Sequence, residues 1–295
     1  MTGAKRSLDH FIVVTSDLNA AAVCYQRLGF RVLPLMEHAE IGTSNTVIQF
    51  QDTYLELLGD FDQCKVAMLA EKVRPRLEAG DGMFMTSFTS ANLEVDRPII
   101  EATGVTLTAI VSARRRVRLP RSGWGETDSR SMYAWNEARL LMSAFLSDHR
   151  KPEMIWIPEY QMHPNTVERV TTLTYVAAAP QLDVDYYAKL LGSQPKISAD
   201  DQVIFETPRG EVFEILAPAR CRKKYGRSAP EWIPSLGGYG VGYAFLVSDL
   251  DRCRWALRDG GVPFEEQDAM IRVGQPYTCG AVLEFRQAAE AVASQ

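Results

Sequence analysis

A histidine and a glutamate stand inside largely apolar segments near the start of the chain. His10 lies in the middle of LDHFIVV (8–14), and Glu56 lies among three leucines in TYLELLG (53–59). A buried carboxylate is rarely left without a partner or a bound cation, so Glu56 is unusual for a strand. An imidazole and a carboxylate together can ligate a divalent metal or transfer protons. A single histidine in a strand is, however, more often an ordinary core or surface residue.

The elements around these two residues follow an order that recurs four times. A strand (8–15) leads to a helix (18–28) with Asp17 as a candidate N-cap, and three further strands follow. Later segments such as TTLTYVAAAPQLDVDYYAKLLG and GYAFLVSDLDRCRWALRDGGV have the same order. The repetition predicts four βαβββ modules, at 8–58, 83–150, 170–217 and 240–288.

Pairs of modules predict an α+β fold with two domains. The stretch 151–169 has three prolines and no clear period, as is typical of a linker. We therefore expect an N-terminal domain at 1–150 and a C-terminal domain at 170–295.

Composition excludes several classes of protein. The net charge of −5 favours neither nucleic acid nor an anionic membrane as partner, and no apolar run reaches the length that spans a bilayer. Five cysteines without a C-x-x-C motif indicate reduced thiols. The sequence favours a cytoplasmic protein that acts on a small molecule, and exposed sheet edges make a homodimer plausible.

Three segments carry a resemblance to a known family. LDHFIVVTSDLNAAAVCYQRLGF, IGTSNTVIQFQDTYLELLG and the stretch from HRKPE to PEYQMHPN resemble the glyoxalase-like branch of the vicinal oxygen chelate superfamily, which shares the glyoxalase and extradiol dioxygenase fold. The resemblance covers nearly the whole chain. It implies two glyoxalase-like domains, each a cupped mixed sheet. It also implies a divalent metal in the cup, with ligands on the first and last strands of each module.

The resemblance implies the metal ligands His10, Glu56 and His149. Met85 takes the position of His10 in the second module, and a thioether is a poor ligand for a hard or borderline ion. At the end of that module, strand alternation leaves open whether Asp148 or His149 faces the cup. The resemblance favours His149, because the matching segment of that branch usually carries a histidine there.

Two imidazoles and one carboxylate leave coordination positions open for substrate. This set suits Fe²⁺, while Mn²⁺, Zn²⁺, Ni²⁺ and Co²⁺ remain possible.

The C-terminal domain lacks imidazoles at the corresponding positions. Thr172 and Gly242 replace the first-strand ligand, whereas the last-strand carboxylates Glu214 and Glu284 are retained. We expect no metal site there, and the two glutamates are candidates for pairing with arginines.

Other residues are weaker candidates. Arg114 and Arg116 could bind a carboxylate or phosphate of the substrate, although an arginine-rich edge strand is the simpler interpretation. Tyr54 could line the pocket, and His38 could act with Glu56 as an acid-base group at the cup mouth. RCRKKYGR (220–227) is interpreted as a solvated loop.

The sequence thus favours a divalent-metal-dependent enzyme that acts on a small oxygenated substrate in the N-terminal cup. A lyase, an isomerase and an Fe²⁺ dioxygenase all remain open. The alternative is a metal-free protein of the same fold that binds and sequesters a small molecule. A degenerate structural partner of another subunit is a third possibility.

Overall fold

The computed structural model describes residues 4–38, 41–121 and 123–288. Its elements alternate between strands and helices in the order expected for an α+β chain. The N-terminal half contains β1 (Leu8–Val14), α1 (Leu18–Arg27), β2 (Met36–His38), β3 (Thr43–Gln49), β4 (Tyr54–Gly59), α2 (Ala67–Glu78), β5 (Gly82–Thr89), α3 (Leu93–Glu101), β6 (Val111–Ala113), β7 (Arg116–Arg118), β8 (Trp124–Glu126), β9 (Ser129–Ala134) and β10 (Ala144–His149).

The C-terminal half repeats this order with fewer insertions. It contains β11 (Val167–Ala177), α4 (Val184–Leu191), β12 (Ile197–Ala199), β13 (Gln202–Glu206), β14 (Val212–Leu216), α5 (Pro218–Tyr225), β15 (Gly238–Val247), α6 (Leu250–Asp259), β16 (Glu265–Gln267), β17 (Met270–Val273) and β18 (Val282–Gln287). The stretch between the halves forms two short 3-10 turns, each starting at a proline.

Each half builds one eight-stranded mixed sheet, which confirms the predicted fold class. The strand orders are β2-β3-β4-β1-β5-β10-β9-β6 and β12-β13-β14-β11-β15-β18-β17-β16. In both sheets, two modules meet through an antiparallel pair of their first strands, β1 with β5 and β11 with β15. The last strand of each module runs parallel to its first strand. This arrangement brings the first and last strands of both modules to the centre of each sheet.

The first helix shows how the local sequence sets the position of β1. The Asp17 side chain accepts a hydrogen bond from the backbone N–H of Ala20 and caps α1 at the predicted residue. Gly29 then takes a φ of +82°, a conformation that favours glycine, and turns the chain back toward the sheet. Tyr25 and Leu18 bury the inner face of the helix.

An apolar core joins the two halves. It combines residues of both sheets, including Met83 and Tyr175, in one cluster. A Cβ on Gly240 of β15 would lie 2.6 Å from the Cβ of Met83 on β5, so only glycine allows this close approach of the two strands. Tyr187 of α4 donates a hydrogen bond of 2.6 Å to the Met142 carbonyl across the same junction.

In the described part of the chain, no helix combines the length and apolar character that crossing a membrane requires.

Candidate functional site

The N-terminal sheet encloses a cavity of about 110 Å³. The four central strands all contribute side chains to it, namely His10, Glu56, Met85 and His149. Arg115 and Tyr54 also line it. The structure therefore brings the three residues of the expected ligand set, together with Met85, to one cavity.

His10 lies at the centre of this cavity with both ring nitrogens facing carboxylates. Its Nδ1 is 2.5 Å from Oδ1 of Asp9, and its Nε2 is 3.8 Å from Oε2 of Glu56. The ring stacks on Tyr54 with a centroid distance of 4.2 Å. An ionised Asp9 can only accept, so Nδ1 carries the proton that it donates. In the neutral ring, the lone pair of Nε2 then points toward Glu56.

Glu56 is held ionised by polar neighbours. The Asn45 side-chain N–H₂ donates to its Oε1 at 2.6 Å, and Nε2 of His38 lies 3.7 Å from the same oxygen. Burial acts to raise the pKa of the Glu56 carboxyl, but the contacts with His38, His10 and Asn45 lower it to about 2. The buried Oδ1 of Asn45 has no hydrogen-bond partner among the described residues. A bound ligand that donates a hydrogen bond could satisfy this oxygen.

His149 is joined to His10 through Asp9 rather than directly to Glu56. Its Nε2 is 3.0 Å from Oδ1 of Asp9, and its Nδ1 is 2.7 Å from the Ser129 hydroxyl. Burial would lower the pKa of His149, but the negative charge of Asp9 raises it overall. Burial would likewise raise the pKa of Asp9, and the two imidazoles hold it well below its usual range. Asp9, His10 and His149 place one possible ligand atom each within 4.8 Å of one another.

The neighbouring Asp148 lies on the other face of β10. Its carboxylate pairs with Arg130 at 2.5 Å and Arg150 at 3.4 Å. The choice between Asp148 and His149 that the sequence left open is thus resolved in geometry, since only His149 lines the cavity.

Asp9 is a site residue that sequence reasoning missed. Strict alternation puts residues 9 and 10 on opposite faces of β1. The pairing of β1 with β5, however, shifts register between Leu8 and His10. Such a bulge redirects a side chain, and it lets the Asp9 carboxylate reach the His10 ring. A carboxylate next to a candidate ligand was the available signal.

The arginine segment is placed differently from the expectation. Arg114 has a side chain that is 61% exposed and lies 3.8 Å from Asp128, and Arg116 stacks on Trp124. Neither lines the cavity; Arg115 does. Because β6 ends at Ala113 and β7 begins at Arg116, residues 114 and 115 form a connection where strand alternation does not hold.

The C-terminal sheet places equivalent residues in the same register. Ile12 lies opposite Glu56, and Thr174 and Ala244 lie opposite Glu214 and Glu284. The residues two positions earlier in the first strands are therefore His10, Thr172 and Gly242.

The two C-terminal carboxylates are neutralised from within the chain. Lys224 of α5 forms an ion pair with Glu214, and Thr174 donates to the same carboxylate at 2.6 Å. Arg272 and Arg286 each lie 2.7 Å from Glu284. The expected arginine partners are present at Glu284, whereas Glu214 has a lysine instead.

Comparisons with known proteins support this fold. A sequence model of the family described as "Glyoxalase-like domain" matches residues 8–191. No curated protein matches the chain.

Several solved structures resemble the whole chain. A hypothetical protein from Staphylococcus aureus has a TM-score of 0.67 and 11% identity, with 95% of this chain and 98% of that chain covered. A mutant 4-hydroxymandelate synthase from Streptomyces coelicolor has a TM-score of 0.62 and 13% identity, with 97% and 93% covered. A fusion protein of a xylose isomerase-like TIM barrel and 4-hydroxyphenylpyruvate dioxygenase has a TM-score of 0.56 and 10% identity, with 96% and 49% covered.

At these identities the structures share the fold alone, whereas the sequence match spans more than half of the chain. The resemblance seen in the sequence is confirmed: this chain belongs to the glyoxalase-like domain family.

Proposed function

We propose that the N-terminal cavity is the active site of a divalent-metal-dependent enzyme that acts on a small oxygenated substrate. The observation that carries the proposal is the distance of 3.8 Å between Nε2 of His10 and Oε2 of Glu56 inside the cavity. Two ligand atoms that each lie about 2.0–2.2 Å from one ion are separated by roughly 3–4 Å. This spacing therefore suits two ligands of one divalent ion.

Two groups of ligands share His10. One uses its Nε2 with Glu56, and the other uses its Nδ1 with Asp9 and His149, which among the described residues are the three whose donor atoms all lie within 4.8 Å of one another. We favour the first group, because Asp9 already accepts the Nδ1 proton. A carboxylate bonded to the far nitrogen of a histidine is a common support for a metal ligand. In this arrangement His149 supports Asp9, so its expected role as a direct ligand becomes the point to test.

A divalent ion bound at this position would polarise a substrate oxygen as a Lewis acid. The low pKa of the Glu56 carboxyl keeps it ionised, as a carboxylate ligand must be. His38, whose Nε2 lies 3.7 Å from Oε1 of Glu56, is then the candidate acid-base group of the cavity. Tyr54 keeps the His10 ring in its orientation by stacking.

The reaction type stays open among a lyase, an isomerase and a dioxygenase. The name of one fold neighbour, a fusion that contains 4-hydroxyphenylpyruvate dioxygenase, supports keeping an oxygen-dependent reaction in this set.

Metal analysis tests the proposal. The purified chain is stripped with a chelator, reloaded separately with Fe²⁺ under anaerobic conditions, Mn²⁺, Zn²⁺, Ni²⁺ or Co²⁺, and analysed by mass spectrometry. We expect a single ion per chain, which His10→Ala and Glu56→Gln abolish. Retention of the ion in His149→Ala supports the group on Nε2, and its loss in that variant supports the group on Nδ1. His163→Gln is the matched control, because His163 is buried outside the cavity.

One observation favours the alternative of a metal-free binding protein. Met85 lines the cavity at the position that matches His10 in the second module. A chain that binds none of the five ions would overturn the enzyme proposal and leave this alternative.

A further inference from the structure

Arg115 is a cation that faces the cavity without a partner in the described part of the chain. It is partly buried and lines the cavity. Its backbone bonds to Thr127, but its guanidinium has no ion pair and no hydrogen bond with any described residue. Burial lowers the pKa of the Arg115 guanidinium, and the nearby Glu56 and Tyr54 act to raise it. A guanidinium remains protonated in proteins, so a positive charge stands in the cavity.

The two arginines next to Arg115 in the chain, and two cations of the C-terminal half, are placed differently. Arg114 lies near Asp128, and Arg116 rests on Trp124. In the C-terminal sheet, Lys224 and Arg272 are paired with glutamates. Keeping a charge partly out of water without a partner costs free energy. A ligand of opposite charge would remove that cost.

We propose that Arg115 binds the carboxylate of a small monoanionic substrate, which deepens and rests on the proposed function of the same cavity. A guanidinium matches the two oxygens of a carboxylate through paired N–H donors. One unpaired cation neutralises one negative charge, which favours a monocarboxylate over a phosphate dianion. The cavity volume of about 110 Å³ limits the ligand to a small molecule.

The cavity also indicates how such a substrate is oriented. Tyr133 and Phe145 stack at 5.0 Å and give one wall a largely apolar surface. The negative charge of Glu56 acts to raise the pKa of Arg115, so the two side chains interact electrostatically. Arg115, Glu56, His10 and the two aromatic rings line the same small cavity, so one substrate could present its carboxylate to Arg115, an oxygen to the metal site and its hydrocarbon part to the rings.

Direct binding measurements test the assignment. Calorimetric titration and ligand-detected NMR compare acetate and benzoate with their neutral amides, acetamide and benzamide, and with inorganic phosphate. We expect the acids to bind more tightly than the amides and phosphate. Arg115→Gln should weaken binding of the acids by about tenfold or more, because a charged hydrogen-bonded pair is lost. Arg114→Gln is the matched control and should bind the acids as the unmodified chain does.

Stability separates a binding role from a structural one. Arg115→Met removes an unpartnered charge, so its unfolding midpoint should equal or exceed that of the unmodified chain. A clear loss of stability in this variant would show that Arg115 serves the fold and would overturn the inference.

The outcomes also separate this inference from the enzyme proposal. Equal binding of acids and amides, tighter binding of phosphate, or no binding of any acid overturns the assignment of Arg115, even if the metal is present. If the chain takes up no metal but binds acids in a way that depends on Arg115, the assignment of Arg115 holds. Only the metal-dependent function is then overturned.

Discussion

The two halves of the chain place carboxylates at equivalent points of their two sheets, and the surroundings of these carboxylates differ. In the N-terminal half, Glu56 faces His10 and His38 in a cavity. In the C-terminal half, the chain itself supplies Lys224 to Glu214 and Arg272 to Glu284.

The difference teaches how a duplicated fold separates stability from function. A buried carboxylate that is paired with a cation of the same chain serves the fold, and removing one partner leaves an uncompensated charge. A buried carboxylate among imidazoles that can bind metal stays available to a ligand. All four histidines lie at or before residue 163, so the C-terminal half has none.

The largest expected effect comes from matched substitutions of the two carboxylates. Glu284→Gln leaves Arg272 buried without its counter-charge and should lower the free energy of unfolding by about 3–5 kcal/mol. Glu56→Gln can keep the hydrogen bond from Asn45 but loses the charge that His38 and His10 stabilise, so it should also lower the free energy of unfolding. Only Glu56→Gln should abolish metal binding. Urea denaturation measures the stabilities, and mass spectrometry measures the metal content. Metal loss in Glu284→Gln, or metal retained in Glu56→Gln, would mean that the halves do not differ in this way.

Lowering the pH should reduce the free energy of unfolding, because His163 is buried in its neutral form. Burial lowers the pKa of His163 to about 4, and its ring accepts from the Arg31 N–H and donates to the Gln49 carbonyl. The unfolded chain takes up this proton near pH 6.5 and the folded chain only near pH 4. The free energy of unfolding should therefore fall as pH drops from 6.5 to 4, by up to about 3 kcal/mol.

The difference between the unmodified chain and His163→Gln isolates this contribution, since the other histidines titrate in both. A pH dependence that is unchanged in the variant would contradict it.

Asp9→Asn tests whether the Asp9 carboxylate holds the His10 ring in the tautomer that binds metal through Nε2. An amide can donate as well as accept, so the His10 proton is no longer fixed on Nδ1. The affinity for metal should fall about 10–100-fold, as is typical when the partner of a ligating histidine is lost. Asp148→Asn is the control, because Asp148 pairs with Arg130 and not with an imidazole of the cavity. Equal effects in both variants would point to a general loss of negative charge.

The smallest effect is expected at Met85. Met85→Leu conserves volume and should change the free energy of unfolding by less than about 1.5 kcal/mol. Metal stoichiometry should not change, because Met85 offers no suitable ligand. Reduced metal content in this variant would show that the thioether belongs to the site.

Local patterns were sufficient to predict the modules. Strand alternation, the Asp17 cap and the repeated element order each depend on neighbouring residues, and the observed sheets begin and end within a few residues of the predicted modules. The same repeat predicts that Thr172 and Gly242 take the position of His10 relative to Glu214 and Glu284, as the strand pairing confirms.

Contacts between distant elements could not be predicted. The sequence predicts a solvated loop at RCRKKYGR. Most of this segment belongs to α5, and its Lys224 forms an ion pair with Glu214. Strand alternation predicts Arg114 and Arg116 as the arginines of the cavity. Arg115 lines it instead, because the chain between β6 and β7 is not a strand. Asp9 reaches His10 through a bulge. Each of these contacts depends on the three-dimensional arrangement of the elements, which the spacing of residues along the chain does not reveal.

The apolar core shared by the two sheets has a practical consequence for anyone who divides this chain. A fragment that stops at the linker would lose Tyr187, whose hydroxyl bonds to the Met142 carbonyl, and would bare Met83 where Gly240 now covers it. The family match itself runs to residue 191, past that cut and through α4. The apolar core of the histidine-free half continues into that of the N-terminal half, so the two should fold as a single unit.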